Sequence, residues 1–316
     1  MELDNYIIDH EINKENFNRL IEQFDKKNFI PFIGAGPSVP TGEPNWDELF
    51  KRMKQSLKIR VNRSKYSDGS YNYPKSFSKL FKKMNDKSKF FEEVFRNIEP
   101  TETSYTAFYI HLVNTFDSYI TTNYDTHIEQ AYLNQKGQKI RRYFFTCYDL
   151  QNLSNSIVYL HGHKDINFAI LKEEDYDYFY PTVSKKSGIP ILEDFLEKVY
   201  TKNTMIFIGF SFTDRYILKF FEYLATKHKS RNHFLLTWEM DRFYSAHQKR
   251  AEEYKKIGEK ERAKEEEQKY YQDFIRLNIY PIVYKRNIFV ERLLEKLERK
   301  AQIPEIESYP ITGEVG

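Results

Sequence analysis

Phe29-Ile30-Pro31-Phe32-Ile33 is a five-residue apolar run that ends on Gly34-Ala35-Gly36-Pro37-Ser38. A short uninterrupted apolar run closed by a glycine turn is the pattern of a strand buried on both faces. The same kind of junction recurs downstream. Ser118 to Thr122 is a β-favouring run that ends at Asn123-Tyr124-Asp125, and Ser156 to Leu160 stops at His161-Gly162-His163. Thr204 to Ile208 stops at Gly209-Phe210-Ser211, after which Thr213 and Asp214 open a helix reaching about Leu224. Phe234 to Trp238 and Ile279 to Tyr284 read as two further strands. Helical spacing fills the intervals: Phe17 to Phe24, Trp46 to Ile59 with Asn45 or Asp47 near its cap, Phe77 to Ile98, Tyr105 to Phe116 and Ile288 to Glu298.

Strands alternating with helices predict an α/β fold, a Rossmann-like open parallel sheet with helices on both faces. A helical insertion follows the first strand at about 47–116. One domain is expected over about 1–300, with a charged helix at about 245–275 and a C-terminal tail at 301–316. Ligands in such sheets bind beyond the carboxyl ends of the strands, where these glycine and polar clusters fall.

Composition narrows the function classes. The 316 residues are 40% hydrophobic and 30% charged, which suits a globular chain and not a disordered one. The single cysteine, Cys147, can form no internal disulfide and leaves no Cys-x-x-Cys pair for zinc, so a reducing, cytoplasmic setting is expected. The longest apolar stretch, Met205 to Phe212, is far short of the ~20 residues of a membrane-spanning helix, and no membrane association is expected.

The formal net charge is only +3, but Lys51 to Lys89 holds thirteen Lys or Arg against two acids and so carries +11, leaving −8 elsewhere. That stretch reads as a solvated helical surface, as a docking face for an acidic partner or nucleic acid, or as a source of attraction for an anionic substrate. The plain surface is the commonest of the three, so nucleic acid is not the favoured partner. Lys249 to Lys269 mixes eight Lys/Arg with seven Glu, the pattern of a mostly solvated helix or an oligomer contact.

Each cluster has a chemical reading and a plainer one. Gly34-x-Gly36 lets backbone approach a phosphate, or simply makes a tight turn. A third glycine is missing, since position 39 is valine, which disfavours a hydride-transfer fingerprint. Asn123 and Asp125 can orient a sugar or carboxamide, or form an Asx-turn. His161 would sit at the mouth of the sheet as a general base, or serve packing alone. His161-x-His163 with Asp165 is a low-specificity metal pattern, and no metal site is expected. Gly209, Ser211 and the helix start after them suit phosphate or ribose hydroxyls, or form an ordinary N-cap.

Taken in order, Gly34-Ala35-Gly36-Pro37-Ser38, Ile120-Thr121-Thr122-Asn123-Tyr124-Asp125, His161-Gly162 and Gly209-Phe210-Ser211-Phe212 resemble the sirtuin superfamily. The closer resemblance is to the sirtuin-like NADase domains of bacterial antiphage systems, Thoeris-like and other defence-associated sirtuins. Phe168 to Tyr180 is similar to their segment after the histidine, and the resemblance spans roughly Phe17 to Glu298. Thr122 stands where the family has glutamine, and Tyr124 where it has isoleucine.

The resemblance implies NAD as substrate, with Gly34, Ala35, Gly36 and Ser38 near the pyrophosphate and its ribose, and Gly209 and Ser211 on the adenosine side. It implies Asn123 and His161 as the catalytic pair and Asp125 as the contact to the nicotinamide carboxamide. The small zinc-binding domain of deacylating sirtuins has no counterpart among these residues, so protein deacylation and zinc are not expected. The implied reaction is hydrolysis of the nicotinamide–ribose bond to nicotinamide and ADP-ribose, as an antiphage, abortive-infection effector. Unrestrained turnover would exhaust the host's own NAD. Control by homo-oligomerisation or by a defence-system partner such as an ATPase is therefore expected. A non-catalytic NAD or ADP-ribose sensor would use the same residues. The residue reading the adenine ribose is placed at Glu239 by strand-end position alone.

Overall fold

The structure is a computed structural model that describes residues 3–302 apart from 26–27, 99–105, 148–152, 213 and 229–230. Thr213 and most of the expected tail, 303–316, therefore lie outside the described residues.

The strands are β1 (Phe29–Ile33), β2 (Ser64–Lys65), β3 (Tyr71–Asn72), β4 (Ser118–Thr121), β5 (Arg141–Phe144), β6 (Ser156–Tyr159), β7 (Gly162–His163), β8 (Phe168–Ala169), β9 (Thr204–Ile208), β10 (His233–Trp238) and β11 (Ile279–Tyr284). The helices are α1 (Glu11–Gln23), α2 (Trp46–Ser56), α3 (Tyr73–Lys83), α4 (Phe90–Ile98), α5 (Ala107–Thr115), α6 (His127–Lys136), α7 (Glu173–Phe179), α8 (Pro181–Ser184), α9 (Ile191–Lys202), α10 (Arg215–Lys227), α11 (Arg242–Lys256), α12 (Lys260–Ile275) and α13 (Ile288–Gln302).

Seven strands form one sheet in the order β11-β10-β9-β1-β4-β6-β5, and each neighbouring pair is parallel. The α/β expectation is borne out. Alternate strand residues feed two apolar layers. Phe32, Ile120, Val158 and Phe207 pack with α7, α9, α10 and α12 on one face. Phe29, Ile33, Tyr119, Ile157 and Ile206 pack with α1, α5, α6 and α13 on the other. Strands covered on both sides in this way must be apolar throughout, which is why β1 and β9 are buried at every position.

From β1 the chain passes to β4 on one side, and after β6 it returns to β9 on the other. The carboxyl ends of β4, β1 and β9 thus surround a topological switch point, the place where open α/β sheets hold ligands.

Four departures from the sequence reading have local causes. The seventh sheet strand, β5, has the sequence Arg141-Arg142-Tyr143-Phe144; as an edge strand it is paired only with β6 and carries no buried residue. Its signal is therefore polar. Phe77 to Ile98 is two helices, interrupted at Met84, with Asp86 capping a short 3-10 turn before α4. The charged stretch is likewise two helices, α11 and α12, joined by a turn at Gly258 with φ +83°. They pack against each other, with Tyr244 and Tyr270 in edge contact at 5.1 Å and Arg250 pairing with Glu266. In the inserted region, α2, α3 and α4 build their own small core around Phe50, Met53, Phe77, Phe90 and Val94. Helix α5 instead belongs to the sheet layer with α6 and α13. No helix among the described residues is long and apolar enough to cross a membrane.

Candidate functional site

Two strand ends meet at three glycines. A methyl group on Gly34 would lie 2.5 Å from the Gly209 carbonyl oxygen, and one on Gly36 would lie 2.8 Å from the Gly209 Cα. Gly209 itself has φ +65°, and a methyl group there would lie 2.2 Å from Pro37 Cδ. Only glycine fits where two backbones come this close. The amides of Gly34 and Gly36 donate to the carbonyls of Ile208 and Gly209, each at 3.0 Å. Those two groups, offered by the sequence to a phosphate, are thus spent on joining β1 to β9. Among the described residues no backbone carbonyl takes the intervening Ala35 amide, and Ala35 lines the adjoining cavity.

The end of β4 supplies the polar centre. Thr121 Oγ1 donates to the Ile33 carbonyl at 3.0 Å and accepts from the Asn123 amide at 3.0 Å, which fixes the turn. Asn123 then donates its side-chain N–H groups to the Gly34 carbonyl at 3.0 Å and to Ser38 Oγ at 3.1 Å. With both donors used, its carbonyl oxygen is the group it can offer a ligand. Ser38 Oγ donates to Asp125 Oδ2 at 2.8 Å and lies 2.7 Å from the Tyr109 hydroxyl. Burial pushes the Asp125 carboxyl above its ordinary pKa, against the pull of His127 and the Ser38 bond. Burial also pushes the Tyr109 hydroxyl well up.

His161, just past β6, is fully buried. Its ring meets the edges or faces of Tyr176 and Tyr180, and Nε2 lies 3.0 Å from the Tyr180 hydroxyl. The other nitrogen, Nδ1, has no hydrogen-bond partner among the described residues. Desolvation lowers the imidazole pKa to about 3, so the ring is neutral at physiological pH. Tyr176 donates to Asp214 Oδ2 at 2.8 Å, while Asp214 Oδ1 caps α10 by accepting from Tyr216 and Ile217 amides at 3.0 and 3.2 Å. Burial raises the Asp214 carboxyl to about 6.

These groups surround a cavity of about 250 Å³ lined by Ala35, Gly36, Ser38, Asn123, Asp125, His161, Gly209, Ser211 and Asp214, with Trp46, Leu49 and Ile98 contributed by the inserted helices. A second cavity of about 440 Å³ lies beyond the glycine contact and shares Gly36, Val39, Gly209, Phe210 and Ser211 with the first. Every candidate residue except Gly34 and Glu239 lines the first cavity; Gly34 is buried behind it as the anchor of Asn123. Glu239 is outside both linings, whereas Asp241 and Glu291 line the second cavity. Glu43 and Trp46 went unnoticed in the sequence as lining residues because they follow β1 by about ten residues and more, while Asp241, three residues past β10, sits at a strand end that carried no glycine or polar cluster.

His163 turns away from His161: its ring packs on Tyr159 and Phe144, and its nitrogens face Glu129 and Asp165. Among the described residues no His, Cys, Asp and Glu group is arranged to hold a metal ion. Of the basic stretch, Lys51 and Arg63 pair with Asp47, and Lys82 with Glu174. Lys54, Arg60, Lys79 and Lys83 line a shallow groove beside α2 and α3 that shares no lining residue with either cavity.

Parts of the chain are similar to known proteins. Residues 117–261 match a SIR2-like domain. The chain is 28% identical over 217 residues to the NAD(+) hydrolase ThsA of Acinetobacter baumannii (strain 532279), covering 66% of this chain and 41% of that protein. It is 29% identical over 230 residues to the NAD(+) hydrolase ThsA of Cytobacillus dafuensis, covering 68% of this chain and 43% of that protein. The chain thus matches less than half the length of each relative. The segment similar to a SIR2-like domain holds Asn123, Asp125, His161, Gly209 and Ser211, just past the carboxyl ends of β4, β6 and β9 of one parallel sheet.

Proposed function

We propose that this chain is an NAD glycohydrolase that cleaves the nicotinamide–ribose bond to give nicotinamide and ADP-ribose. The observation that carries the reading is the pair of joined cavities. One holds Asn123, Asp125 and His161, and the second opens across the Gly36–Gly209 contact, so a ligand with two nucleoside ends can lie along both. Nicotinamide belongs in the first, where Asp125 accepts from its carboxamide. The adenosine end belongs in the second, with the pyrophosphate over Ala35, Gly36 and Gly209.

In the reaction the C1′–N bond breaks and its electron pair stays on the pyridine nitrogen, so nicotinamide leaves neutral. Positive charge develops on the ribose, and a water oxygen bonds to C1′. Asn123 orients the ribose hydroxyl or the water through its side-chain oxygen. His161 accepts the proton, and Nδ1, which has no hydrogen-bond partner among the described residues, is the nitrogen that can take it. Water is limited by the aromatic wall of Trp46, Tyr124 and Phe210.

The test is nicotinamide release from NAD by the wild-type chain, Asn123→Ala and His161→Ala, alongside calorimetric NAD binding. Release is expected from wild type, with a loss of about 10²–10⁴-fold in each variant and retained binding. Binding without release by the wild type at any protein concentration would refute the hydrolase. Wild-type turnover in His161→Ala would refute the base assignment.

The relatives' names support the same activity. We further propose an antiphage role in the cytoplasm, with turnover restrained by homo-oligomerisation or by a partner such as an ATPase. A rate per chain that is constant across dilution, and insensitive to any partner, would count against that control.

A further inference from the structure

Two titratable side chains beside the proposed reaction centre have no part in that chemistry. Glu43 follows the 3-10 turn Gly36–Thr41, and His127 is the first residue of α6. They are 6% and 1% exposed, and His127 Nε2 pairs with Glu43 Oε1. Thr41 Oγ1 lies 2.9 Å from the same ring nitrogen, bonds to Glu43 Oε2, and is 2.6 Å from the Ser38 carbonyl. From the other side, the His127 backbone amide donates to Asp125 Oδ1 at 3.2 Å, while Asp125 Oδ2 accepts from Ser38. The Tyr109 ring covers His127 with centroids 5.2 Å apart. Glu43 and Asp125 line the same cavity.

A buried carboxylate is stable as an ion only beside a positive charge or several donors. Here Glu43 contacts the imidazole of His127 directly, while Asp125 accepts from the His127 backbone amide and acts on the ring through space. The groups facing His127 are Glu43, Thr41, Asp125 and the neutral Tyr109; those facing Asp125 are Ser38, His127 and Glu43. Burial opposes a charge on His127, but Glu43 and Asp125 outweigh it and its pKa is raised. Burial likewise opposes the Glu43 anion, and His127 and Thr41 outweigh it, so its pKa is lowered.

Resting on the hydrolase reading, we propose that Glu43 and His127 are positioning residues: His127, held by Glu43 at its ring and joined to Asp125 through its backbone amide, keeps Asp125 ionised as the carboxamide acceptor and ties the Ser38 turn to α6. Glu43 acts on His127, and His127 acts on Asp125; neither touches the reacting atoms. Without the imidazolium, Asp125 takes up a proton at higher pH and loses the acceptor that binds the substrate amide.

The first test needs no variant. A histidine-selective NMR titration of the wild-type chain should find the His127 imidazole still protonated at pH 7.5; a neutral ring at pH 7 overturns the proposal whether or not NAD is cleaved. The second is the pH profile of kcat and KM for NAD in His127→Gln. We expect the acid limb of kcat/KM to move up by about one pH unit, carried by KM, with kcat above pH 8 within about twofold of wild type. In Glu43→Gln the His127 imidazole should lose its proton at a lower pH in the same NMR titration, and an unchanged His127 titration would remove Glu43 from the proposal. A His127→Gln profile that superimposes on wild type, or a uniform fall in kcat at all pH values, overturns the proposal. Absence of both NAD cleavage and NAD binding in the wild type would instead remove the hydrolase reading and leave the titration to decide the charge of His127.

Discussion

Replacing Gly209 with alanine tests the close approach on which the whole site depends. Two terms add. A side chain in the left-handed region costs about 1–2 kcal/mol, and Gly209 has φ +65°. The new methyl group also overlaps its surroundings, at 2.2 Å from Pro37 Cδ, 3.0 Å from Pro37 Cγ and 3.1 Å from the Gly36 Cα. Forcing a methyl group into a packed site typically costs about 1–3 kcal/mol, so the variant should lose about 2–5 kcal/mol in all. Gly258 supplies the control, because its φ is +83° yet a methyl group there meets nothing within 4 Å. Gly258→Ala should therefore lose only the backbone part, about 1–2 kcal/mol. Urea denaturation of both variants, followed by far-ultraviolet circular dichroism, measures the difference, expected at about 1–3 kcal/mol. Calorimetry should show NAD affinity reduced in Gly209→Ala and unchanged in Gly258→Ala. Equal denaturation midpoints for the two variants would refute the argument that the ends of β1 and β9 are in backbone contact.

Stability should fall in mild acid. His161 and His233 are buried with pKa values of about 3, so above the unfolded value near 6.5 they are neutral in both states; as pH falls below it, the unfolded chain binds protons that the native chain refuses. At pH 5 that removes about 2 kcal/mol per histidine, while Asp214, raised to about 6, returns about 1 kcal/mol, because the native carboxyl is protonated before the unfolded one. A urea midpoint unchanged between pH 7.5 and pH 5 would contradict this. Product recognition should depend on charge: nicotinamide is expected to inhibit NAD cleavage, and nicotinate at least about tenfold more weakly, because its carboxylate would face Asp125 and Glu43. Equal inhibition by the two would remove Asp125 as the carboxamide acceptor.

The parts of this site that were legible in the sequence share one physical cause. A parallel strand covered on both faces must be apolar along its length, so Phe29–Ile33 and Thr204–Ile208 stand out against a chain rich in charge, and each marks the residues just past its carboxyl end. Gly34, Asn123, His161 and Gly209 could be found in that way because they are local to such ends. Arg141–Phe144 could not, since an edge strand has one neighbour and half-exposed side chains. Nor could Glu43 and His127, 84 residues apart, whose partnership exists only once the register Ile33↔Thr121 sets the loop after β1 beside the start of α6. The division is between residues at the mouth of the cavity and residues packed behind them that set their charge. The first lie where a strand stops, and sequence periodicity finds them. The second are recruited from any element that folding brings within hydrogen-bond reach, so the protonation state of Asp125, and with it the pH range over which the site can work, comes from the packing of α6 on β1 and β4 and not from any motif.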